Sequence, residues 1–127
     1  MIKTKLIEFK ENSYTVNFPN VGQLQDIEAF KMMYSNGRYV DMVNSGLKIH
    51  EQLLDMTDAI AYLSTLCPKL MDDLKIKSWR SLDAFLAKEL ITCYKKQFIP
   101  WFKPLLEDLY RFDEVDLEDG KDDQKKE

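Results

Sequence analysis

The stretch from Tyr39 to Cys67 constrains the fold most. Tyr39, Met42, Gly46, Ile49, Leu53, Met56, Ile60, Leu63 and Cys67 follow in steps of 3, 4, 3, 4, 3, 4, 3 and 4. An apolar stripe at that spacing fits one face of an α-helix, whereas a half-buried strand would alternate every second residue. Leu54, Ala59, Ala61 and Leu66 widen the stripe, so the helix is expected to touch several other elements. Lys48, Glu51, Asp55 and Asp58 form the opposite face. Pro68 stops the helix, because its ring and missing N–H cannot continue the ladder. Gly46 interrupts it at a cost of about 1 kcal/mol relative to alanine, yet the stripe stays in phase. One helix, kinked where another backbone packs close to the glycine, is the preferred reading. Two helices broken at Asn44-Ser45-Gly46 is the other.

The chain opens with a hairpin pattern over Lys3 to Phe18. Tyr14, Val16 and Phe18 share one face and Thr15 and Asn17 the other, the alternation of a half-buried strand. The first arm, around Lys5 to Phe9, supplies Ile7 and Phe9, and Lys10-Glu11-Asn12-Ser13 is a polar connector of hairpin length. Two strands alone are marginal in water, so their apolar face must lie on helices or on another chain. After Pro19, Asn20 is placed as an N-cap, with Gln23 in the reciprocal position of a capping box. The helix that follows turns Val21, Leu24, Ile27, Phe30, Met33 and Tyr34 inward and Gln25, Glu28 and Lys31 outward. Ser35-Asn36-Gly37 closes it, because Asn36 or Gly37 takes a left-handed cap cheaply.

Beyond Pro68, a short helix over 69–74 is expected, then a longer one to about Phe98. Leu82, Phe85, Leu86, Leu90, Cys93 and Tyr94 are its inward residues. Pro100 and Pro104 break that run, and Leu105, Leu106, Leu109 and Tyr110 permit one last helix.

At 127 residues one domain is the default, and 45% hydrophobic residues suffice for a core. The charge of −4 is unevenly placed: residues 113–127 hold eight acidic and three basic side chains. The reading is one α+β domain over 1–112 and an acidic, disordered tail over 113–127. The nearly neutral body lacks the concentrated basic face that nucleic acid requires. Cys67 and Cys93, the only cysteines, sit in apolar helical stretches and are expected as buried, reduced thiols. Met1 leads into lysine-rich alternating sequence, not a signal peptide, and no window is apolar for the ~18 residues a membrane span needs. A reducing, intracellular compartment is expected.

Residues with chemical potential are few. His50, the only histidine, has Glu51 beside it but no second histidine four residues away, as a zinc-protease helix would need. Asp55 with Asp58, and Asp72 with Asp73, are read as solvated pairs, since acid–base work needs a pocket that separates two pKa values. Neither a glycine-rich phosphate loop nor a Gly-x-Ser-x-Gly elbow is present. No catalytic residue, metal ligand or cofactor is assigned. The aromatic run Tyr94, Phe98, Ile99, Trp101 and Phe102, interrupted by Pro100, stands out. It reads equally as packing against the chain's own core or as a protein-binding surface with aromatic anchors. Lys95, Lys96 and Lys103 around it raise single-stranded nucleic acid as a minor reading.

Four segments carry a resemblance. They are Tyr14-x-Val16-x-Phe18-Pro19, Val21-Gly22-Gln23-Leu24-x-Asp26-Ile27-Glu28, Leu54-Asp55-Met56-x-Asp58-Ala59-Ile60-Ala61 and Tyr94-Lys95-Lys96-Gln97-Phe98-x-Pro100-Trp101. Their order resembles small proteins encoded among the structural genes of tailed bacteriophages, including crAss-like phages. It is similar in particular to the tail assembly chaperone type, which pairs an N-terminal strand hairpin with a helical body. The resemblance covers most of residues 5–105 and consists of hydrophobic patterns.

What it implies is a non-enzymatic assembly protein that binds tape-measure, tail or other virion subunits in the infected host's cytoplasm. A structural virion component of capsid, neck or tail is the first alternative, and a small phage regulatory or nucleic-acid-binding module the second. Self-association into a homo-oligomer is compatible with each. The expected fold is α+β and mostly α: an N-terminal hairpin packed on a bundle of four to five helices.

Overall fold

The computed structural model describes residues 3–76 and 78–111; the expectation of a tail over 113–127, with its boundary at 112, lies outside them. The fold is α+β and mostly helical, with an N-terminal antiparallel hairpin on about five helices. Among the described residues, no helix is long and apolar enough to cross a membrane.

Strand β1 (Thr4–Phe9) pairs with β2 (Asn12–Asn17) in a register that places Ile7 opposite Tyr14 and Phe9 opposite Asn12. Only Lys10 and Glu11 connect them, with φ of 48° and 68°. Two left-handed residues give a tight turn whose twist matches the strands, so Asn12 and Ser13 belong to β2 and not to the connector. Ile7, Phe9, Tyr14 and Val16 form the buried face, and Phe18 extends it by stacking on Phe102, ring centroids 5.3 Å apart.

Helix α1 (Val21–Tyr34) begins at the expected capping box. The Gln23 N–H donates to Asn20 Oδ1 at 2.8 Å, and the Asn20 N–H donates to Gln23 Oε1 at 3.0 Å. It ends at Asn36 and Gly37, both left-handed, where the Gly37 N–H reaches the Met32 carbonyl at 2.7 Å. Ile27 is buried as expected, but Val21 and Met33 are exposed, and Lys31 is buried.

The organising stripe is divided between two helices, α2 (Tyr39–Ser45) and α3 (Lys48–Leu66). Gly46 caps α2 with φ of 69°, a conformation glycine adopts without the Cβ penalty. The break, not the kink, is therefore the outcome, and among the described residues no atom outside its own neighbours lies within 4 Å of where a Gly46 Cβ would stand. Ile60, Leu63 and Cys67 are buried, whereas Ile49 and Leu53 are exposed. Helix α3 packs against α1, α2, α4 and α5, the central position its wide stripe implies. Pro68 both ends α3 and opens α4 (Pro68–Asp73), since a proline at the first helical position loses no needed N–H.

A 3-10 turn (Trp79–Ser81) precedes α5 (Ala84–Cys93), whose cap is Asp83 accepting from the Leu86 N–H at 3.0 Å. The helix does not stop at the prolines. It widens into a π-turn (Tyr94–Phe98) and continues over 99–111, through Pro100 and Pro104. The Ile99 N–H bonds the Tyr94 carbonyl five residues back, which opens the rod just before Pro100 would clash with the preceding turn. Lys96, Pro100 and Pro104 share the exposed side, so the carbonyls deprived of a donor lie on the solvent side. Leu86, Leu90, Tyr94, Phe98 and Phe102 recur every four residues. On a regular α-helix that repeat would drift around the axis; the wider π-turn holds Leu90, Tyr94, Phe98 and Phe102 in the core. Phe85 lies one residue off this line and is 80% exposed, not inward.

Candidate protein-binding surface

The aromatic run resolves into core and margin. Tyr94, Phe98 and Phe102 are buried, with Tyr94–Phe98 and Phe98–Phe102 ring centroids 5.3 and 4.8 Å apart. Tyr62 of α3 meets all three rings at 5.1–5.9 Å. Such stacked and edge contacts add to area burial. Ile99 and Trp101 are partly buried and pack on the same core, with Trp101 meeting Phe98 at 5.8 Å and Phe18 at 6.5 Å. Of the five residues proposed as anchors, three are thus not available to a partner in this fold. The π-turn is the reason, because it faces them inward together.

Beside this core lies a polar cluster, of which Glu28, Lys31 and Asp58 were expected on solvent-facing sides of their helices. Lys31 retains 7% of its surface. Its Nζ lies 3.4 Å from Glu28 and 3.9 Å from Asp58, and 4.9 and 5.4 Å from the ring centroids of Tyr62 and Tyr39. The Tyr39 hydroxyl donates to Asp58 at 2.6 Å. Burial pulls the Lys31 pKa down, but Tyr62, Asp58 and Glu28 outweigh it and the net shift is upward. Burial raises Asp58, against the Tyr39 hydrogen bond and Lys31, which lower it. Burial, then the Asp58 bond, raises Tyr39. Cation and carboxylate compensate each other here, and the groups are turned towards one another, so the cluster joins helices and does not present a reactive group. Cys67 and Cys93 are free and buried, with burial pushing the Cys93 thiol up to about 11, which suppresses the reactive thiolate. Among the described residues no group of three His, Cys, Asp or Glu side chains could hold a metal ion. His50 Nδ1 lies 2.6 Å from the Ser45 hydroxyl, spanning the α2–α3 corner.

The exposed apolar residues concentrate around that corner. Among the described residues, seven of the twelve exposed large hydrophobics fall between Met32 and Leu53. Val40, Val43, Leu47 and Ile49 each keep 54–57% of their surface exposed. Helix α2 buries no residue. A groove of about 290 Å³ opens there, lined by Tyr34, Arg38, Met42, His50, Leu53 and Met56 among others. Ile49 and Leu53 belong to the stripe read from the sequence, whereas Val40, Val43 and Leu47 each lie one residue off it and had no sequence signal. Among the described residues, no element buries these side chains. No protein-family model, curated protein or solved structure matches the chain.

Proposed function

We propose that this chain is a non-enzymatic protein-binding module that serves the assembly of tailed bacteriophage particles, of the tail assembly chaperone type. The carrying observation is the α2 corner, where Val40 and Val43 of α2, Leu47 of the connection and Ile49 of α3 face solvent. Single exposed hydrophobics are ordinary, whereas several on neighbouring turns are characteristic of a contact surface. The groove beside them, bounded by Met42, Leu53 and Met56, suits the apolar face of an amphipathic helix from another protein. The phage setting rests on the resemblance of the Tyr14–Pro19, Val21–Glu28, Leu54–Ala61 and Tyr94–Trp101 segments. Tape-measure or tail subunits are the partners it implies, and the host cytoplasm the place of action.

The experiment is capture from infected-cell lysate with the natural chain and with Val43→Asp/Leu47→Asp. Phage tail proteins retained by the first and lost by the second, at equal melting temperature, support the reading. Mass spectrometry of purified particles separates the roles. An assembly chaperone is absent from them, and a virion component is present at stoichiometric copy number. Equal capture by both chains removes the α2 corner as the binding surface.

A further inference from the structure

Helix α2 is fastened at few points. Of its residues only Tyr39 and Met42 are partly buried, and the others are exposed. It packs chiefly on α3. Two polar side-chain contacts hold it there, one near each end. The Tyr39 hydroxyl donates to Asp58 at 2.6 Å, and the Ser45 hydroxyl lies 2.6 Å from His50 Nδ1.

Both ends of α2 are built as hinges. Asn36 and Gly37 precede it and Gly46 follows it, with φ of 58°, 76° and 69°. Glycine accepts wide changes of φ and ψ, which is what a hinge residue has to absorb. Among the described residues, no atom outside their own neighbours lies within 4 Å of where a Cβ on Gly37 or Gly46 would stand. The face beneath α2 tolerates exposure. Asp58 and Glu28 remain beside Lys31 when Tyr39 leaves, so no charge is left buried without a partner. Leu53, Met56 and Thr57 lie on the same face and line the groove with Met42. That groove, about 290 Å³ with α2 in place, admits a few side chains. The body of a helix, about 10–12 Å across, does not fit in it.

We infer that α2 is a hinged flap, and that a partner helix seats on α3 in its place. This rests on the reading of the α2 corner as a helix-binding surface and names what that helix must carry. It repeats what α2 presents: a tyrosine whose hydroxyl donates to Asp58, and an apolar side chain three residues on for the groove at Leu53 and Met56. In the unbound chain α2 is the stand-in for that helix. A helix of seven residues is marginal once its packing is lost, so the displaced flap melts and its amides report the exchange of one helix for the other.

The probe is a synthetic helix of residues 36–47, held helical by a hydrocarbon bridge between positions 40 and 44 and titrated into the full chain. Saturable binding is expected, together with exchange of the chain's own Asn44 and Ser45 amides at least about tenfold faster in the complex. Tyr39→Phe in the chain weakens the flap and is expected to tighten probe binding about fivefold. Met42→Asp in the probe removes its apolar contact and is expected to abolish binding. Any of three results overturns the inference: no binding at about 1 mM probe, binding that leaves the Asn44 and Ser45 rates unmoved, or binding indifferent to Tyr39→Phe in the chain. Each of them leaves the outer face of α2 as the contact, which Val43→Asp/Leu47→Asp tests separately.

Discussion

One oxygen of Asp58 serves three helices. Its Oδ1 accepts from the Tyr39 hydroxyl of α2 at 2.6 Å and lies 3.9 Å from the Lys31 ammonium of α1, while Asp58 itself belongs to α3. Helix α2, which buries no residue, gains through Tyr39 a polar attachment in place of an apolar one.

Removing that carboxylate leaves Lys31 buried with Glu28 as its remaining acidic neighbour. Asp58→Ala is expected to lower stability by about 1–3 kcal/mol, the range for a buried polar group deprived of its partner. Glu51→Ala, on the exposed face of the same helix, is expected to stay within about 0.5 kcal/mol. Urea denaturation of the two variants makes the comparison, and equal midpoints would refute a stabilising role for the cluster.

The same cluster sets an alkaline limit. The Lys31 pKa is raised above its ordinary 10.5, so its stabilisation is fully present below that value and is lost as pH rises through the folded pKa. Tyr39 is raised above 10.0, so the unfolded chain releases that proton first and stability again falls as pH rises beyond 10.0. Both contributions have one sign. Melting temperature should therefore decline above pH 10.0, and less steeply in Tyr39→Phe. A Tyr39→Phe profile parallel to that of the natural chain would exclude Tyr39 from the effect.

Core and surface aromatics should separate cleanly in mutagenesis. Phe98, fully buried among Tyr62, Tyr94, Trp101 and Phe102, is expected to cost about 3–5 kcal/mol on truncation to alanine. Phe85→Ala, at an exposed position, is expected to stay within about 0.5 kcal/mol. Thermal melting followed by circular dichroism reads both, and a tolerated Phe98→Ala would contradict the packing described.

Gln97 takes the place of a neighbouring strand beside β1: its Oε1 accepts from the Glu8 N–H and its Nε2 donates to the Glu8 carbonyl, each at 2.7 Å. Gln97→Leu removes both bonds to Glu8 and is expected to accelerate exchange of the Glu8 amide, with a stability loss of about 1 kcal/mol. An unchanged Glu8 rate would mean that the side chain is not a substitute for a strand.

What the sequence disclosed was local chemistry. Asn20 and Gln23 lie three residues apart, and each satisfies the other's backbone, so the start of α1 was readable. The hairpin followed from the alternation of Tyr14, Val16 and Phe18. Lys31 was misplaced because its partners Tyr39, Asp58 and Tyr62 are distant in sequence, and its own neighbourhood shows only a charge on a helix. Gly46 was misjudged because periodicity does not register one left-handed residue when the phase is kept on both sides. The Asn44-Ser45-Gly46 stop signal was the better guide. Pro100 and Pro104 were read as breakers because the four-residue repeat from Leu86 to Phe102, the signature of a widened turn, was not weighed against them. The division of the aromatic run between core and margin, and the bare α2 corner, depended on how many elements remained to cover each face. No local pattern contains that information.

The π-turn holds one residue more than an α-turn, and such an extra residue can travel along a helix when successive N–H groups exchange acceptors. Here the track is blocked. Pro100 has no N–H to exchange, and Pro104 repeats the obstruction one turn later. The surplus residue consequently cannot pass Pro100, and the helix beyond it, which carries Phe102 towards Tyr62, is kept in register by two prolines on its exposed side.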